Sequence, residues 1–208
     1  MTHTIENSMF SDRESWLTEA ANLAFDDLLM PIVEASGVHD YERPNFRISV
    51  GFPKHTRGGK AVAVCFRRAA SSDGVNEIFI NPEIDEPIEV LSAMIHEQIH
   101  AIDDCHSGHR NFFAYVARRA GLEGNLTATF AGDKLIARLK GYIELLGAFP
   151  HNKMNINMVH RKDGTRQLKV SCTNCDFSFR TSMKQVVRIS SDAACPCCMA
   201  LETLKLIV

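Results

Sequence analysis

Two pairs of cysteines, Cys172-Thr-Asn-Cys175 and Cys195-Pro-Cys-Cys198, stand 19 residues apart in the last part of a 208-residue chain. Each pair has the spacing of a zinc knuckle, and two such pairs at this separation form the pattern of a four-thiolate structural site. The constraint on folding is severe. A stretch of about 40 residues buries too little apolar surface to hold itself together, so a module built on these cysteines has to close around a metal ion. Five of the seven cysteines fall in the last 37 residues, a clustering that speaks for metal rather than for a disulfide framework. Cys197 is the expected spare, because pairing it with Cys195 shortens the second knuckle, although exchange with Cys198 stays open. Between the knuckles Phe177-Ser-Phe179-Arg-Thr-Ser-Met183 alternates like a strand, which predicts a zinc ribbon.

A second metal pattern lies upstream. His96-Glu-Gln-Ile-His100 places two imidazoles four residues apart, one turn of helix, so both face one point in space. A catalytic zinc takes three protein ligands and keeps its fourth position for water. Glu97 then stands beside that water, able to take its proton during attack on a peptide carbonyl and return it to the leaving amine. A solvated polar stripe is the competing reading, but Met94, Ile95, Ile99 and Ile102 crowd the neighbouring positions and mark the segment as half buried. Three side chains compete as third ligand. His109 follows Gly108 at the start of the next helix and is favoured; His106 and Asp104 are the alternatives.

The rest of the chain supplies a scaffold. Ser11-Asp-Arg-Glu14 reads as a capping box for a helix through Trp16, Leu17, Ala20, Leu23, Ala24 and Leu28, ending near Pro31 or Gly37. Phe46–Phe52, Lys60–Phe66 and Glu77–Asn81 read as three strands joined by turn formers, an antiparallel sheet with hairpin connections. Helices are expected from Pro87, from Gly108 to Gly121, and from Asp133 to Leu146. The expected fold is α+β, with a metallopeptidase domain over 1–150 and a ribbon over 151–208. Cys65 and Cys105, with no second cysteine near either in sequence, read as isolated, inert thiols.

Charge is unevenly spread. Residues 151–208 hold 9 Lys+Arg against 4 Asp+Glu, whereas 1–150 hold 14 against 21. Lys162, Arg166, Lys169, Arg180, Lys184 and Arg188 could offer phosphates a cationic face, although a four-thiolate zinc takes back two charges. The alternative role of the ribbon is to cap the apolar stretch Leu201–Val208. Hydrophobic residues at 45% and charged ones at 23% exclude a disordered or fibrous chain. Neither a basic leader nor a membrane-length apolar run is visible, so a soluble, cytoplasmic protein without membrane contact is expected.

Taken together, Ile78-Phe-Ile-Asn-Pro-Glu83, Ile88 through Ala101, Gly108-His-Arg-Asn-Phe112 leading to Ala120-Gly-Leu122, and Leu168-Lys-Val-Ser-Cys-Thr-Asn-Cys175 with Arg180-Thr and Cys195-Pro resemble the SprT-like zinc metallopeptidases, the family that includes Spartan, and particularly its compact bacteriophage members. The resemblance implies a zincin-like fold, with His96, His100 and His109 on a catalytic zinc, Glu97 as general base and a DNA-associated role for the ribbon. It also implies that the substrate is a protein crosslinked to or associated with DNA, aligned by edge pairing along the strand around Phe79. This sequence departs from the family in carrying Asp176 where a Gly usually follows the first knuckle, and in a short segment between His100 and His109. The alternative function is a non-proteolytic nucleic-acid adaptor with two structural zincs.

Overall fold

The computed structural model describes residues 9–37, 43–52, 61–156, 167–189 and 193–207. The chain divides into two compact units, Met1–Met154 and Asn155–Val208, and both α and β elements contribute.

The first unit opens with α1 (Arg13–Ala24), which buries Trp16, Leu17, Ala20, Ala21 and Ala24. Its cap is Asp12, one residue later than the capping box suggests: the Asp12 carboxylate accepts from the Ser15 N–H at 2.7 Å. Glu14 is drawn away instead, accepting from the Val50 N–H of the first strand. The helix does not stop at Pro31. It widens into a π-helical turn, Phe25–Leu29, and resumes as α2 (Met30–Glu34) with Pro31 in its first turn. Proline has no N–H to give to the preceding turn and its ring crowds the carbonyl there; the wider i→i+5 turn, closed by the Met30 N–H on the Phe25 carbonyl, accommodates both effects.

The sheet departs from the expected antiparallel hairpins. β2 (Ala63–Phe66) pairs antiparallel with β3 (Asn76–Ile80), but β1 (Phe46–Val50) lies on the other side of β3 and runs parallel to it, giving the order β1-β3-β2. The reason is burial. Ile78 and Ile80 are fully enclosed, so β3 takes the centre, and β1 and β2 are left on its two sides. The turn formers 53–59 lie outside the described residues.

α3 (Pro87–Ile102) starts at Glu86, whose carboxylate accepts from the Glu89 N–H, with Pro87 in the first turn. It runs through the core and buries both faces, including Gln98, whose Nε2 donates to the Ala21 carbonyl at 2.8 Å. α4 (Asn111–Ala120) ends on Gly121 in the left-handed region, φ 89°, where a Cβ would meet Leu135 at 3.1 Å. A short hairpin follows, β4 (Leu122–Asn125) with β5 (Ala128–Ala131), which the periodicity does not disclose. α5 (Asp133–Leu146) closes the unit; the Trp16 indole N–H donates to the Gly147 carbonyl and its ring meets Phe149 at 4.9 Å.

The second unit is a three-stranded antiparallel sheet, β6 (Gln167–Cys172), β7 (Ser178–Ser182) and β8 (Leu204–Ile207), in the order β7-β6-β8, with one helical turn, Met183–Val186. The apolar C-terminal stretch is therefore partly a strand of the sheet. Among the described residues of this unit only Val170, Cys172 and Cys195 are buried.

Candidate functional site

α3 carries His96 and His100 one turn apart, and the loop after it doubles back to deliver a third imidazole. The His109 Nε2 lies 3.2 Å from the Nε2 of His96 and 3.2 Å from that of His100. Nitrogens held about 2.0–2.1 Å from a tetrahedral zinc stand about 3.3 Å apart, so the spacing fits that ion. The other two candidate ligands are engaged elsewhere. His106 Nδ1 contacts the Asp103 carbonyl, and Asp104 Oδ1 accepts from the Arg68 N–H at 2.7 Å and from Asn76 Nδ2 at 2.9 Å.

The return of the chain is a matter of backbone geometry. Asp104, Cys105 and Gly108 adopt φ of 54°, 60° and 52°, and the Cys105 N–H donates to the His100 carbonyl at 2.7 Å. Asp103 Oδ2 accepts from the Ser107 N–H. The loop from α3 to α4 is thus tied at both ends before a metal is considered. Phe113 forms the wall behind the imidazoles, stacked on His100 at 4.3 Å and edge-on to His96 at 4.8 Å.

Thr129, on the unforeseen hairpin, places its Oγ1 2.8 Å from His96 Nδ1. With Nε2 turned toward the shared point, Nδ1 carries the proton and donates to the threonine hydroxyl, fixing ring and tautomer. The sequence signal for this hairpin is local: Asn125-Leu-Thr127 forms an Asx turn, with Asn125 Oδ1 accepting from the Thr127 N–H.

Burial, and then the neighbouring imidazoles, drive His96 down to about 3; burial and His109 take His100 to about 4, and burial lowers His109. All three are therefore neutral, ligand-ready bases at neutral pH. Glu97 moves the opposite way: burial, followed by the charge of Cys105, pushes it up to about 8, opposed by the backbone N–H of Cys65. A carboxyl held protonated in this way is poised to ionise when a cation arrives next to it.

His96 and Glu97 border a cavity of about 540 Å³ lined on one side by Ala61, Val62 and Ala63 and on the other by Thr127–Ala131. The strand along this cavity is β2, an edge strand of the sheet among the described residues. The strand around Phe79, expected to flank the cleft with a free edge, is β3, which is paired on both sides because its isoleucines take the centre of the sheet.

Cys65 and Cys105 are not isolated. Forty residues apart in sequence, they are joined by the packing of β2 against the loop after α3, with Sγ atoms 3.8 Å apart.

In the second unit Cys172, Cys175, Cys195 and Cys198 converge, with Sγ pairs 3.7 Å apart for Cys172–Cys198 and for Cys175–Cys195. The edge of a zinc–thiolate tetrahedron is about 3.8 Å. Cys197 is exposed and outside the group. A contact with Thr203 Oγ1 at 3.2 Å, and then the Asn174 N–H, lower Cys172 to about 6, preparing a thiolate. Lys169 and Arg180 face each other across β6 and β7, and Lys205, which sequence reading passed over, joins their face because it pairs with Ser171 two residues along. Lys184 and Arg188 are exposed as well, whereas Lys162 and Arg166 lie outside the described residues.

The three-histidine group and the four-cysteine cluster could each hold a metal ion. No helix among the described residues is long and apolar enough to cross a membrane. Set against models of protein families, curated proteins and solved structures, the chain finds no match.

Proposed function

We propose that the chain is a zinc-dependent metalloendopeptidase of the SprT-like, zincin type, acting on proteins associated with or crosslinked to DNA. One observation carries the reading: three neutral imidazoles converge within zinc-ligand spacing at the end of a cleft that also holds a buried carboxyl, Glu97.

Zinc held at that point would supply Lewis acidity toward a water and the peptide carbonyl. His96, His100 and His109 hold it, Thr129 orients His96, and Phe113 excludes water from behind the rings. Glu97 takes the proton of the attacking water and returns it to the leaving nitrogen. β2 is an edge strand of the described sheet and its Ala63 end borders the cleft, so alignment of an extended peptide is assigned to Ala61, Val62 and Ala63 in place of the strand around Phe79. The four thiolates hold a second, structural zinc, and the Lys169–Arg180–Lys205 face meets phosphates. A non-proteolytic adaptor would leave the Glu97 carboxyl and the cleft without a task.

The test is Glu97→Gln in the full chain. It should abolish cleavage of a protein crosslinked to DNA while the protein keeps two zincs; His96→Ala/His100→Ala should keep one. Undiminished proteolysis by Glu97→Gln would refute the assigned base, and one zinc in both wild type and the double histidine variant would show that the histidines hold no metal and would refute the catalytic centre.

A further inference from the structure

Cys65 lies on β2, the strand that walls the cleft, and Cys105 lies on the loop that brings His109 to the metal point. Their sulfurs stand 3.8 Å apart, and the Cys105 Sγ also lies 3.8 Å from the Cys65 carbonyl. The alignment is held by the backbone around it. Arg67 Nη2 donates to the Cys105 carbonyl at 3.2 Å, Asp104 accepts from the Arg68 N–H, and Cys105 sits in the left-handed region with φ 60°. Both thiols are only partly buried and line a cavity of about 360 Å³ together with Glu97, His100 and His109, so a small solute reaches them from the metal side.

Two sulfurs at this separation suit either a shared metal ion or a bond between them. A metal needs further ligands, and among the described residues the only groups of three or more that converge are the histidines and the four cysteines of the second unit. The pair has no third donor, which leaves thiol–disulfide chemistry.

We propose that Cys65 and Cys105 form a reversible dithiol–disulfide site that staples the His109-bearing loop to the wall of the cleft. The oxidant is a small peroxide. One sulfur attacks a peroxide oxygen; the O–O bond breaks, an S–O bond forms and one water leaves. The second sulfur attacks the resulting sulfenic acid; the S–S bond forms, the S–O bond breaks and a second water leaves. Two thiols lose two electrons and two protons to one hydrogen peroxide, and a dithiol reductant reverses the change. Sulfur–sulfur bonding at about 2.05 Å requires the pair to close by a little under 2 Å, a displacement that side-chain rotation and a small loop shift can share. The bond closes a ring running from residue 65 to residue 105 and lowers the freedom of the unfolded chain. The proposal stands on thiol geometry alone and holds whether or not the histidine site hydrolyses peptides.

The test uses the full-length, zinc-replete protein treated with about one equivalent of hydrogen peroxide, then alkylated, digested and mapped by mass spectrometry. A peptide pair joined through Cys65 and Cys105 is expected. The melting temperature of the first unit should rise by roughly 5–10 °C, return with dithiothreitol, and stay unmoved in Cys65→Ser and in Cys105→Ser. Both thiols remaining alkylatable would overturn the proposal, as would oxidation of Cys105 to sulfinic acid without a crosslink, or a third zinc per chain that the serine variants lose. Because the peptide map is read on the wild-type protein, the outcome does not depend on the variants folding.

Discussion

Stripping metal from the four-cysteine cluster should unfold the second unit and leave the first standing. Among its described residues only Val170, Cys172 and Cys195 are buried. Burying one aliphatic side chain contributes about 1.5–3 kcal/mol, whereas fixing the six residues of β6 alone costs on the order of 6–12 kcal/mol in backbone entropy. Half-buried Leu168, Phe179 and Leu206 narrow that gap without closing it. A structural zinc held by four thiolates supplies roughly 10–16 kcal/mol, more than the usual stability of a whole domain, about 5–15 kcal/mol. The measurement is amide hydrogen exchange before and after a strong chelator. The Cys172 N–H, which donates to Phe177, and the Thr173 N–H, which donates to Thr203, should lose protection entirely. Amides of β3 should keep theirs, because the core from Trp16 to Phe149 stands without metal. Persistent protection of Cys172 and Thr173 in metal-free protein would refute the argument that the metal is the core of this unit.

Other expectations follow from single contacts. Thr129→Val removes the acceptor that orients His96 and should weaken zinc binding at the histidine site about 10–100-fold while the four-cysteine zinc is retained, read by chelator competition. In metal-free protein Glu97, raised to about 8 in the fold, is the less usual case of a carboxyl that prefers its proton when folded. Its stabilising share is present below the unfolded value near 4.5 and is lost as pH rises through 8. Glu97→Gln should therefore gain on wild type across that window, by on the order of 5 kcal/mol at most, and thermal melts showing a pH-independent gap would contradict this. Replacing Lys169, Arg180 and Lys205 together by Gln should flatten the salt dependence of DNA binding by a slope of about 2–3, with no change in zinc content; an unchanged slope would remove that face from the interface.

What could be read along the chain was whatever depends on spacing within one element. His96 and His100 share a helix face because four residues make one turn, and the start of α3 at Pro87 and the span of α5 from Asp133 to Leu146 follow from local signals as well. Cys172 and Cys175 belong together for an equally local reason, and Cys198 joins them while Cys197 stays outside, as the two-residue gap suggests. Asp12 displaced the expected cap by one residue because Glu14 found a partner on β1, a contact between residues 36 positions apart.

Everything that depends on separations of tens of residues needed the folded chain. The sheet order was set by which strand could bury two isoleucines, and that choice moved the free edge from the strand around Phe79 to β2. Thr129 reached His96 through a hairpin too short to show a period, and Cys65 met Cys105 only because β2 packs on the loop beyond α3. Residue types and short spacings name the chemistry available to this protein: imidazoles, a carboxyl, thiols and a cationic strand face. Which of them meet is decided by tertiary packing, because burial of the apolar core selects one arrangement of strands and loops and carries the polar groups to wherever that arrangement leaves them.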